Sequence, residues 1–290
     1  MQQYANINIG TEQPENYRKF HNHIVFQTID DIKEFYEFLS RNDSSTTLMV
    51  ARGLMNYNYE IYLSISNTLD SIKQLLTLGR INDAFSLIRK YNDAVIMHIY
   101  SLIISENEEK LFFDDDYCPY NNIVDKWVCG NKLLIEKGEH KNKDKAYLSE
   151  IMKRDKCLFN LIFNKKTNKD YGESRGFGDD NLHYNYWNAF RLNNPKIICY
   201  PISLSLLVEA DKAIKLLFSI HFSYITLLKP ESMVSYDYCN NALDEDESIN
   251  EDAKNYAASI ACEIFEKYVM TYDVKLAEYL ANCTFLKFRY

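Results

Sequence analysis

Arg175, Asn181, His183 and Asn185 fall in one short stretch, directly after or among Gly172, Gly176 and Gly178, three of the chain's eight glycines. Glycine frees the backbone from Cβ sterics, so the spacing predicts a flexible polar loop over these glycines. The Asp180-Asn181 pair would then cap a helix running from about Leu182 to Arg191. His183 would lie in its first turn, at the positive end of the backbone dipole, where a neutral imidazole is favoured over imidazolium. A neutral imidazole can take a proton from a ribose 2′-hydroxyl, and its conjugate acid can protonate a leaving oxygen. Arg175 would hold the phosphate and stabilise charge developing on it. Asn181 and Asn185 would orient the scissile group. Chemistry of this kind needs no metal and no cofactor.

Other residues offer weaker chemistry. Arg89 and Asp93 form an i, i+4 pair, most simply a salt bridge along a helix. Facing His183, Arg89 would be the alternative phosphate ligand to Arg175. Tyr184 is a candidate for stacking on an unpaired base, whereas Trp187 reads as a packing residue. His98 and His221 sit among apolar neighbours and read as core histidines. His21 and His23 form an HxH pair without a third ligand in reach, so no metal site is expected. The runs Asp114–Asp116 and Asp244–Glu247 lack calcium-loop spacing and read as solvated loops. Seven cysteines with no CxxC pair suit a reducing compartment, with Cys199 and Cys262 as small core residues. No phosphate-binding glycine loop, HExxH or nucleophile-elbow serine is present.

The elements that must position these residues read as helices. Residues 1–28 are polar and read as irregular, and Asp30-Asp31 opens a short helix through Leu39. Ile61, Ile65, Leu69, Ile72, Leu75 and Leu76 form one stripe of a helix over Thr47–Leu78, which Gly79 ends. Asn82 would cap the next helix, whose Ala84, Ile88, Tyr91, Val95, His98 and Leu102 recur three and four apart. The two helices form an antiparallel hairpin. Further helices are expected at 123–129, 146–163, 201–228, 253–269 and 274–282, with no strand alternation and no repeat. An all-α fold follows: one large helical bundle domain over 29–290, with the hairpin as its core.

A net charge of −8 argues against unspecific binding to duplex nucleic acid, which leaves a basic footprint. Lysines and arginines clustered between Lys141 and Lys169 leave room for a local basic surface. No secretory segment is evident at the start, and the longest uncharged apolar-leaning stretch, Leu216–Leu228, is too short for a bilayer. A cytoplasmic protein without a membrane partner is the expectation.

Arg175 and His183, within Asp180-Asn181-Leu182-His183-Tyr184-Asn185, resemble the Arg-x(4–6)-His signature of the HEPN-superfamily ribonucleases. The spacer here is seven residues, which leaves either Arg175 or Arg89 as the phosphate-binding arginine. Much of 60–290 also resembles a group of uncharacterised bacterial helical proteins, through Asp83–Lys90, Asn181–Asn185 and Ser235–Tyr238. The HEPN likeness implies a metal-independent endoribonuclease of toxin or phage-defence type, with RNA as substrate and a homodimer as assembly. The 84-to-102 seam either offers the apolar face for that dimer or is filled wholly within the chain. The competing reading is a non-catalytic helical module that binds a protein partner, a regulator or a small ligand.

Overall fold

The computed structural model describes residues 11–49, 57–109, 123–128, 132, 143–235 and 256–288. The described residues are helical throughout apart from turns and one isolated antiparallel bridge, Val234 to Ala257. The helices are α1 (Pro14–His21), α2 (Val25–Met49), α3 (Tyr57–Thr77), α4 (Ile81–Glu109), α5 (Ile123–Val128), α6 (Lys143–Arg154), α7 (Lys156–Ile162), α8 (Lys165–Leu182), α9 (Asn188–Arg191), α10 (Ile202–Leu228), α11 (Ser259–Ile264) and α12 (Val274–Cys283). The fold is an all-α bundle. No helix among the described residues is long and apolar enough to cross a membrane.

The chain divides into two compact units. One comprises Met1–Tyr36, Leu63–Ala94 and Lys165–Phe218; the other comprises Glu37–Tyr62, Val95–Asn164 and Ser219–Tyr290.

In the first unit, the segment expected to be irregular before residue 29 contains α1 and the start of α2. Pro14 opens α1 at a position where its missing N–H costs nothing. Val25, Ile29, Ile32 and Tyr36 recur four and three apart on α2, and all are buried. Polar residues between them concealed that stripe. The α3–α4 turn follows the sequence more closely. Gly79 has φ +71°, its N–H donates to the Leu76 carbonyl (2.8 Å), and the Arg80 N–H donates to the Leu75 carbonyl (2.9 Å). That pair of bonds is the glycine C-cap motif that satisfies the last carbonyls of a helix. Asn82 does not cap α4, because the helix already begins at Ile81. The opening amides of α4 are taken by the turn after α9: Ile81 donates to the Leu192 carbonyl (2.9 Å) and Asp83 to Asn193 Oδ1 (3.2 Å).

In the second unit, the start of α3 meets the later half of α4, as an antiparallel hairpin requires. Tyr57 Oη lies 3.0 Å from Ser105 Oγ, and His98 Nε2 lies 2.8 Å from Asn58 Oδ1. His98 Nδ1 is 2.7 Å from His221 Nε2, and the Tyr62 ring packs edge-on against His98. Since Asn58 Oδ1 accepts from His98 Nε2, His98 Nδ1 is left as the acceptor for His221 Nε2–H. Both rings are fully buried and neutral. Burial, then His221 and Lys229, holds His98 well below the usual histidine range, and burial lowers His221 to about 3.

Every residue of the 84-to-102 seam is buried within the chain, so the seam is no free face for a dimer. Its apolar spacing reported intramolecular packing.

A neutral buried histidine binds fewer protons than its unfolded counterpart, so its stabilising contribution is complete above about pH 6.5 and is lost as pH falls towards 3. Urea unfolding should show a lower midpoint at pH 5 than at pH 7, with up to about 1.4 kcal/mol lost per histidine per pH unit. A midpoint unchanged over that interval contradicts a neutral buried pair.

Candidate functional site

The glycines do not form a loop. Residues 165–182 are one helix, α8, with Gly172, Gly176 and Gly178 inside it. Thr167, Tyr171, Gly178 and Asn181 are its buried positions, spaced as one helical face. Tertiary packing of this face overrides the low helix propensity of three glycines. Phe177 packs edge-on against Phe85 of α4, with ring centroids 4.3 Å apart. A Cβ on Gly178 would lie 3.2 Å from Cβ and 3.4 Å from Cδ of Arg89, whereas one on Gly172 or Gly176 would meet nothing within 4 Å. Gly178 therefore serves close helix approach, and Arg89 fills the space that its missing side chain leaves.

That approach joins three charged residues. Arg89, 10% exposed, donates from Nε to Asp179 Oδ1 (2.6 Å) and from Nη1 to Asp93 Oδ1. Arg175 Nη2 lies 3.7 Å from the other oxygen of Asp179. The Arg89–Asp93 pair is thus present as the sequence predicts, and Asp179 adds a carboxylate on which both arginines converge. Sequence reasoning passed over Asp179, although its i+4 spacing from Arg175 was a usable signal.

His183 stands at the opposite end of a helix from the one expected. Its N–H donates to the Asp179 carbonyl (3.1 Å), which continues α8 by one residue. Tyr184 has φ +49°; its N–H reaches the Asn181 carbonyl (3.4 Å) and the Asn185 N–H reaches the Asp180 carbonyl (3.0 Å). His183 is therefore the C-cap of α8, beside the carbonyl-bearing, negative end of its dipole. The dipole argument for a neutral ring at a helix start does not hold here. His183 is exposed, and among the described residues no side chain hydrogen-bonds its ring. Arg175, Asp179 and His183 follow one another at intervals of four and so lie along one ridge of α8.

The two asparagines differ. Asn181 is buried, and its amide donates to the Phe177 carbonyl (2.8 Å), which turns it away from solvent. Asn185 is exposed, and its amide donates to Asp180 Oδ1 (3.0 Å). Trp187 does not pack in the core: it is 76% exposed, beside Phe190 at 56% and Tyr184 at 42%. The Phe190 centroid lies 4.6 Å from that of Tyr184 and 5.5 Å from that of Trp187.

Elsewhere in the first unit, a groove of about 680 Å³ runs between α1 and the start of α10, lined by Arg18, Lys19, His23, Ile24 and Val208 among others. His23 Nδ1 accepts from the Val25 N–H (3.2 Å), and His21 Nδ1 donates to the Tyr17 carbonyl (2.9 Å). No group of three or more potential metal ligands occurs among the described residues. Cys199 and Cys262 are half-buried, less enclosed than the sequence implies. Both acidic runs lie outside the described residues.

No family model, curated protein or solved structure matches the chain.

Gly172→Ala and Gly176→Ala should each raise stability by about 0.5–1 kcal/mol, because alanine is the better residue in an open helix position. Gly178→Ala should lower it, because Arg89 must shift. Thermal unfolding of the three variants checks this, and a loss at Gly172 or Gly176 as large as at Gly178 contradicts a continuous α8.

Proposed function

We propose that the chain is a metal-independent endoribonuclease with His183 as its acid/base, in the toxin or phage-defence role that the HEPN likeness implies. The observation that carries this reading is the placement of an exposed histidine on the same helix ridge as Arg175. Asp179 is tethered through its other oxygen to Arg89. Arg175 can then turn from the longer of the two contacts towards a phosphate while the carboxylate stays in place. Arg175 is accordingly the phosphate ligand, and Arg89 with Asp93 holds the frame. His183 takes the 2′-hydroxyl proton, and the 2′-oxygen attacks the adjacent phosphorus. The bond to the 5′-oxygen breaks, and the imidazolium returns a proton to it. The products are a 2′,3′-cyclic phosphate and a 5′-hydroxyl. Asn185, exposed at the same helix end, is the polar group available to orient the strand.

A second reading, a non-catalytic module for a protein or small ligand, is favoured by one feature. Asp93 and Asp179 already offset the charge of the two arginines, so a phosphate must compete with them.

Cleavage of single-stranded RNA by the wild type and by His183→Ala, each with and without chelator, separates the two. The nuclease reading expects cleavage that survives chelation and falls about 10²–10⁴-fold in the variant. Equal cleavage by both proteins removes His183 from the chemistry, and no cleavage by either supports the module.

A further inference from the structure

Three large aromatic side chains after α8, Tyr184, Trp187 and Phe190, are exposed close together. Tyr184 adopts the left-handed conformation, which a residue with a Cβ rarely holds. The turn it makes sets its ring against Phe190, and Phe190 in turn meets Trp187, with interplanar angles of 30° and 39°. Three neighbouring aromatic rings thus remain partly exposed to solvent, with His183 and Asn185 beside them in the chain. Scattered exposed aromatics are ordinary, but a contiguous set is not.

We infer that Tyr184, Phe190 and Trp187 are a stacking platform for unpaired bases of single-stranded RNA. The inference rests on the nuclease reading and specifies its substrate as unpaired RNA. Charge supports a nucleic acid over an acidic surface: from Asn181 to Val208 the chain has no Asp or Glu, while Arg191 and Lys196 are exposed. Size argues against a protein partner. At the exposures observed, the three rings present on the order of 400 Å² together, given their typical areas. A stable protein interface needs about 800 Å² per side. The net charge of −8 fits the same mode, since a chain without a broad basic footprint must draw its affinity from stacking rather than counterion release. Each base offers a π-face, so the platform is tolerant of sequence and selective against duplexes, whose bases are already stacked.

The test is quenching of intrinsic tryptophan fluorescence during titration with a single-stranded 12-mer RNA and with its duplex, using His183→Ala to suppress cleavage. Single-stranded RNA should quench and duplex should not. Trp187→Ala in that background should weaken binding about five- to a hundredfold by a label-free assay, the range expected for losing one stacked base, and Trp187→Phe should restore most of it. Raising salt from 50 to 200 mM should cost less than about tenfold. Unchanged affinity in Trp187→Ala overturns the platform, as does equal binding of duplex or the absence of RNA binding. A wild-type dimer that Trp187→Ala dissolves overturns it too, by assigning the rings to a second copy. Cleavage by the wild type with no effect of Trp187→Ala removes only the platform, whereas quenching without cleavage removes only the nuclease.

Discussion

Asp179 is the acceptor on which the geometry of the site depends. Arg89, largely withdrawn from water, reaches it at 2.6 Å from a neighbouring helix. A guanidinium in that position must be paired, since leaving a buried charge alone costs several kcal/mol. Gly178 eases the pairing, because without a side chain there α8 can approach the stem of Arg89 closely. That pair, the missing methyl group and the Phe177–Phe85 ring contact together hold α8 on α4. His183, one turn beyond Asp179 and bonded to its carbonyl, inherits that placement. The strained turn at Tyr184 then directs the aromatic rings from the same helix end.

How much of this the sequence discloses depends on whether a residue's neighbours are local. The stripe from Ile61 to Leu76, the Gly79 stop and the run from Ala84 to Leu102 are set by spacing along one helix, and the structure has them as read. Their burial also removed the dimer face, because periodicity says that a face is covered without saying by what. Asn82 failed as a cap since the acceptors of α4's first amides come from Leu192 and Asn193, over a hundred residues away.

Around His183 the same distinction decided more. Three glycines in a short polar stretch carry a strong local signal for a loop, and only contact with Phe85 and Arg89 shows why they stand in a helix. Reversing which helix end bears His183 exchanged the positive for the negative end of a dipole. It also turned Asn181 inward and left Asn185 outside. Local spacing revealed the Arg89–Asp93 pair, but the convergence of Arg175 on the same carboxylate as Arg89 needed two helices to be brought together. Trp187 was misread for a related reason: aromatic residues at helical spacing usually pack, and here the helix stops before it begins.

The dependence of the site on the Arg89–Asp179 contact is measured most directly by a double-mutant cycle in urea, with Arg89→Met, Asp179→Asn and the pair. A coupling of about 1–2 kcal/mol between the two positions is expected for a charge-assisted bond at this depth. Losses that add to within about 0.3–0.5 kcal/mol would contradict it, and with it the placement of α8 and of His183.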